Sequence, residues 1–141
     1  MAIYLNNNVG VKLATIDVSS YITGVTLNQT FDELEVTAMG DTAHKFVKGL
    51  ESATLTVDFL NDWAAAQVMT TLRTAFGTTA AVSMITVKGT AVSATNPSYQ
   101  FSILVNNLTP VGSGGGVGEV ASSSVTFTVN TAVTLSDSVA F

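Results

Sequence analysis

Residues 52–59 alternate without a break: Ala53, Leu55, Val57 and Phe59 are apolar, while Ser52, Thr54, Thr56 and Asp58 are polar. Successive side chains of a strand point to opposite faces, so this pattern predicts a strand with one face in a core and one outside. Val120–Asn130 repeats it, with Ala121, Ser123, Val125, Phe127 and Val129 against Ser122, Ser124, Thr126, Thr128 and Asn130. Ile22–Phe31 sets Val25, Leu27 and Phe31 against Thr26, Asn28 and Thr30. Val9–Ile16 and Tyr99–Val105 also alternate, and Leu34–Thr37 and Ala81–Lys88 are shorter or more mixed strand candidates. Between them stand a turn at Asp17–Tyr21 and loops at Gly89–Ser98 and Gly112–Gly118. Met39–Leu50 has no clear period and is expected to be a long loop.

Only Asn61–Phe76 has a helical period. Ala65, Val68, Met69, Leu72 and Phe76 form one apolar stripe, which predicts a helix lying against a sheet. Asn61 or Asp62 is expected to cap its first turn. Arg73 falls where the helix dipole favours a cation, and Gly77 can take the left-handed conformation that ends it. Trp63 and Phe76 are expected in the core.

These elements predict a mainly β chain, a sandwich or barrel-like subunit with one flanking helix. Its 141 residues suit one domain, 1–141, with possible arms at 1–8 and 131–141. Composition supports strands, since Thr and Val are the commonest residues. Charged residues are only 11%, well below the usual share of about 25%, which suggests that neighbouring subunits cover much of the surface. No apolar run reaches the length of a membrane span, and no secretion signal is seen, so a soluble chain is expected.

The net charge is −5, and its distribution narrows the choice of partners. Residues 32–62 hold seven acids (Asp32, Glu33, Glu35, Asp41, Glu51, Asp58, Asp62) against two bases (Lys45, Lys48), and that imbalance equals the whole net charge. Such a chain is poorly suited to gripping nucleic acid through phosphates.

Candidate chemistry is sparse. The stretch GSGGGVG at Gly112–Gly118 lacks the Lys-Ser/Thr ending of a phosphate loop and has no helix after it, so it reads as a hairpin loop. His44 is the only histidine and there is no cysteine, which leaves no zinc set and no thiolate. No G-x-S-x-G elbow accompanies His44. Asp32, Glu33, Glu35 and Asp41 do not have the spacing of an EF-hand loop. An enzyme is not expected, and no cofactor or metal is implied. The polar strand faces say more: they are small and uncharged, with Asp58 the one acid and no Lys or Arg. On the pattern alone, a wall of this kind suits equally an ordinary Thr-rich solvent face and a surface past which a polyanion slides without sticking.

The sequence resembles the major tail tube proteins of long-tailed, non-contractile bacteriophages. The resemblance is carried by AIYLNNNVGVKL near the N-terminus, by Asp17–Trp63, and by AVSATNPSYQFSILV at Ala91–Val105. Its most specific part is DELEVTAMGDTAHKFVKGL followed by the T-L-T-V-D-F strand.

The resemblance implies a structural subunit that forms hexameric rings stacked into a hollow tube, which conducts DNA from virion to host. Strands of all six subunits would join into an inner barrel. DNA would pass without specific binding. The implied partners are further copies of the chain and the tape measure, tail terminator and tail tip proteins, with no membrane. The implied place is the virion tail, assembled in the host cytoplasm. Channel-facing candidates are Ser52, Thr54, Thr56, Asp58, Ser122, Ser124, Thr126 and Thr128. The ring-stacking loop would comprise Met39, Asp41, His44, Lys45, Phe46, Val47, Lys48 and Leu50. Asp41, Lys45 and Lys48 are expected in intersubunit ion pairs, and the loop is expected to order on stacking. The alternative is an immunoglobulin-like or carbohydrate-binding sandwich module, which should expose aromatics on a face or loop.

Overall fold

In the computed structural model, residues 3, 8–65, 67–111, 117–139 and 141 are described. Most of the possible arm at 1–8 and of the loop at Gly112–Gly118 fall outside that set. The strands are β1 Gly10–Leu13, β2 Ile16–Asp17, β3 Ile22–Glu35, β4 Phe46–Leu60, β5 Thr79–Ile85, β6 Ser98–Leu104, β7 Ser122–Val129 and β8 Thr134–Ser136, with one helix, α1 Val68–Ala75. They form one antiparallel sheet in the order β2-β1-β5-β6-β7-β4-β3, and β8 pairs with β6. The expected mainly β class with one helix is what forms.

The strand β6 divides its edge. Ser98–Gln100 pair with β8, whereas only Ile103 and Leu104 pair with β7. At this junction the sheet turns over on itself, because the apolar faces of both halves join one core. Val11, Leu13, Val82, Phe101 and Ile103 come from one half; Leu55, Val57, Phe59, Val125 and Phe127 come from the other. The alternation at 52–59 and in β7 therefore predicts burial correctly. Ala53, Leu55, Val57 and Phe59 are buried, as are Ser123, Val125, Phe127 and Val129.

The tail contributes an edge strand, β8, and then returns to β1. Ser98 Oγ donates to the Val139 carbonyl at 2.8 Å, and Lys12 Nζ donates to the Phe141 carbonyl at 2.9 Å. The Phe141 ring lies where a side chain at Gly10 would stand, 2.8 Å from an added Cβ. At the other end of β1 a two-residue turn holds Ala14 and Thr15 at φ 49° and 73°. Both are positive, as hairpin turns matched to strand twist require, although Asn-Gly is the usual occupant.

Three expectations are corrected. The helix is Val68–Ala75 rather than Asn61–Phe76. Asp62 does not cap it: its Oδ1 accepts the Ala64 N–H at 2.9 Å, closing a separate turn. Thr70 Oγ1 then bonds the carbonyls of Trp63 and Ala64, so the lead-in is a looped segment and the helix starts at Gln67 without a side-chain cap. Val68, Met69 and Leu72 are buried as the stripe predicts, and Thr71 joins them. Trp63 and Phe76 are not core residues, being 51% and 45% exposed. Both lie outside the helix that would have carried them inward, and Phe76 turns off at ψ 128°. The third correction is that Leu34–Thr37 is no separate strand and Met39–Leu50 is not all loop. β3 runs unbroken to Glu35, and β4 begins at Phe46.

Candidate functional site: a hydroxyl wall and a projecting hairpin

The three strands β3, β4 and β7 place the predicted polar faces side by side. Thr26 is opposite Thr56 and Thr56 is opposite Thr126; Asn28, Thr54 and Thr128 make a second row; Gly24, Asp58 and Ser124 make a third. Thr30 and Ser52 pair beyond them, and Ser122 stands opposite Leu60. All eight channel candidates therefore lie on the face turned away from the core. Thr26, Asn28 and Thr30 extend the wall by a strand not counted among those candidates, although their alternation was the signal for it.

The wall satisfies much of its own polarity. Thr56 Oγ1 and Thr126 Oγ1 are 3.0 Å apart, and Thr30 Oγ1 lies 3.0 Å from Ser52 Oγ. No basic side chain stands in these rows, and Asp58 is their only charge. Gly24 makes room for that carboxylate, since a Cβ there would meet Asp58 Oδ2 at 3.0 Å.

Beyond Thr30 the hairpin of β3 and β4 leaves the core. From Phe31 to Leu50 nearly every residue is exposed. Cross-strand pairs continue as Glu33–Lys48, Leu34–Val47 and Glu35–Phe46. A register shift between Phe31 and Glu33 adds one residue to β4. At that bulge Gly49 approaches Asp32 so closely that an added Cβ would lie 2.9 Å from Asp32 Cβ and from its carbonyl oxygen. Bulges re-aim a strand and increase its twist.

The hairpin end is built by short bonds. Val36 N–H donates to the Lys45 carbonyl at 2.8 Å. Asp41 Oδ2 accepts the Ala38 N–H at 2.8 Å, and its Oδ1 pairs with Lys45 Nζ at 2.7 Å. The Lys45 ammonium and then the Ala38 amide hold the Asp41 carboxyl below the usual aspartate value. Gly40 takes φ +92° in the turn. His44 Nδ1 is 2.7 Å from Glu35 Oε1, and Lys48 Nζ lies 5.7 Å above the Phe31 ring. Within one chain, Asp41, His44, Lys45 and Lys48 thus already have neighbours. The apolar members stay open to solvent: Phe31, Leu34, Val36, Met39, Phe46, Val47 and Leu50 are all exposed, Phe46 at 54% and Leu50 at 80%.

A hollow of about 590 Å³ lies elsewhere, on the outer side of β1, β5 and β6, lined by Lys12, Ser83, Gln100, Thr134 and Phe141 among others. Among the described residues no three His, Cys, Asp or Glu side chains gather as a metal site would need. No described helix is long and apolar enough to cross a membrane.

Among the described residues the fold is thus a sandwich made by one folded antiparallel sheet, with one α-helix packed on its core through Val68, Met69 and Leu72 and one long hairpin outside it. It is shared with a chain in the solved structure of a virion of a native gene transfer agent particle, with a TM-score of 0.72 at 13% identity. The match covers 95% of this chain and 99% of that one. By sequence, no protein-family model and no curated protein matches the chain.

Proposed function

We propose that the chain is a structural subunit of a virion, and within it the subunit of a tail tube. Hexameric rings of the chain stack into a hollow tube, and the β3-β4-β7 wall lines the lumen through which DNA leaves. The observation that carries this reading is the wall itself. It is a three-strand face of hydroxyl and amide side chains with one carboxylate and no cation. Polyanions bind proteins chiefly through Lys and Arg, so such a face repels DNA gently and holds it nowhere. The fold shared with a virion chain supports the setting, and the resemblance of Asp17–Trp63 to tail tube proteins supports the role. The edge strand β3 is free to pair with β7 of a neighbour, which would close six wall segments into a barrel and remove the exposed edge. The hairpin at Phe31–Leu50 supplies contact between rings. Tape measure, terminator and tip proteins would meet the tube at its lumen and ends.

Negative-stain imaging of the purified chain over a range of concentrations tests the reading. Rings or tubes with a central channel are expected. A protein that stays monomeric by light scattering at every concentration, with no rings on the grid, overturns it.

A further inference from the structure

Exposed apolar side chains gather at both ends of β4. At its N-terminal end stands the hairpin tip with Phe46, Leu34, Val47 and Leu50. At its C-terminal end three segments converge. Asn61 N–H donates to the Ala121 carbonyl at 3.0 Å. The Ser123 hydroxyl donates to Asn61 Oδ1 at 2.9 Å and lies 3.3 Å from the Thr109 carbonyl, its second acceptor. These bonds bring Trp63, Val120 and Val111 to one end of the molecule, and they are 51%, 72% and 90% exposed.

The two surfaces cannot meet within one chain. β4 has 15 residues, a rod of about 50 Å at the rise of a strand, and it holds them apart. Each can be covered only by another molecule. Seven apolar hairpin residues, Phe31, Leu34, Val36, Met39, Phe46, Val47 and Leu50, are exposed together, and a concentration of apolar surface of this kind marks a protein–protein contact. Resting on the tube reading, we propose that the surface of Trp63, Val111 and Val120 is the seat for the hairpin tip of a second copy. The contact is heterologous, one end of a copy against the other end of the next. Because its two surfaces differ, it repeats without closing and builds a stack.

The chain has one tryptophan and no cysteine, so both reporters are clean. Trp63 emission in the unmodified protein should shift to the blue as subunits assemble, and Phe46→Asp should abolish the shift. Phe46→Cys and Val120→Cys proteins, mixed and treated with a short bis-maleimide, should give a linked dimer. Phe46→Cys mixed with Leu135→Cys should give none above background, because Leu135 is exposed on β8. Tubes that form with unshifted Trp63 emission, or that link Leu135 as well as Val120, overturn the seat and leave the tube reading standing. A chain that never assembles overturns both.

Discussion

Thr56 and Thr126 face each other across β4 and β7 with their hydroxyl oxygens 3.0 Å apart. The pair sits in the middle row of the wall, between Thr26 on one side and the Asn107 amide at the Thr126 carbonyl on the other. Each hydroxyl has a partner, and neither presents a cation. That combination makes the wall polar enough to stay wetted and still indifferent to phosphate.

Replacing Thr54 and Thr56 with Lys should change this indifference first. Thr54 is exposed and Thr56 partly so, so the variant is expected to fold. Assembled particles should release DNA more slowly at low salt, and the delay should shrink as salt is raised, since cation–phosphate attraction is screened. Ejection kinetics across a salt series check this; rates equal to those of the unmodified protein at low salt would remove the wall from the DNA path.

Gly49→Val should loosen the hairpin while sparing the core. Its side chain would enter space already held by Asp32 Cβ and the Asp32 carbonyl, both 2.9 Å away. Overpacking of this kind costs about 1–3 kcal/mol, and here the neighbour is backbone that cannot step aside. Amide exchange should quicken across 31–50 and stay slow at Leu55, Val57 and Phe59.

The sequence made the packed half of this hairpin legible and hid the other half, for one reason. Period two arises only where one face is buried, as for Ala53 to Phe59. Beyond Ser52 neither face meets the core, so Phe46, Val47 and Leu50 carry no alternation although Phe46–Leu50 is strand. The expected helix is too long because Ala65 and Phe76 extend the spacing of Val68, Met69 and Leu72, whereas Asp62 closes its own turn with Ala64. The hydroxyl wall was legible strand by strand. Its register was not, because row partners such as Thr56 and Thr126 lie far apart in the chain.

The turn at the hairpin tip should depend on pH through Asp41. Its carboxyl is held below the usual aspartate value by the Lys45 ammonium and then by the Ala38 amide. A depressed folded-state value means the charged form favours the ordered turn. Its contribution is present above the unfolded value and is lost as pH falls through the lower folded one. The Ala38 amide proton should therefore lose protection in acid, and Asp41→Asn should remove that dependence. Protection that is flat with pH in the unmodified protein would contradict this.

Asn96→Ala should unfasten the loop between β5 and β6. Asn96 is buried, its Nδ2 donates to the carbonyls of Val87, Thr90 and Ala91, and its Oδ1 accepts from Val87 N–H and Thr86 Oγ1. Truncation leaves buried polar groups without partners, a loss of about 1–3 kcal/mol. Chemical denaturation should show a lower midpoint with an unchanged slope.

The division of β6 between β7 and β8 has a mechanical side. A pull on the hairpin travels down β4 and passes to β7 along the whole register from Thr54 to Leu60. The strand pairing of β7 with the second layer is confined to Ile103 and Leu104, with one more backbone bond beside them from the Asn130 N–H to the Ser102 carbonyl. In the proposed tube, bending would concentrate the load between layers at that narrow seam, where the buried Phe127 and Ile103 side chains would share the shear with the backbone.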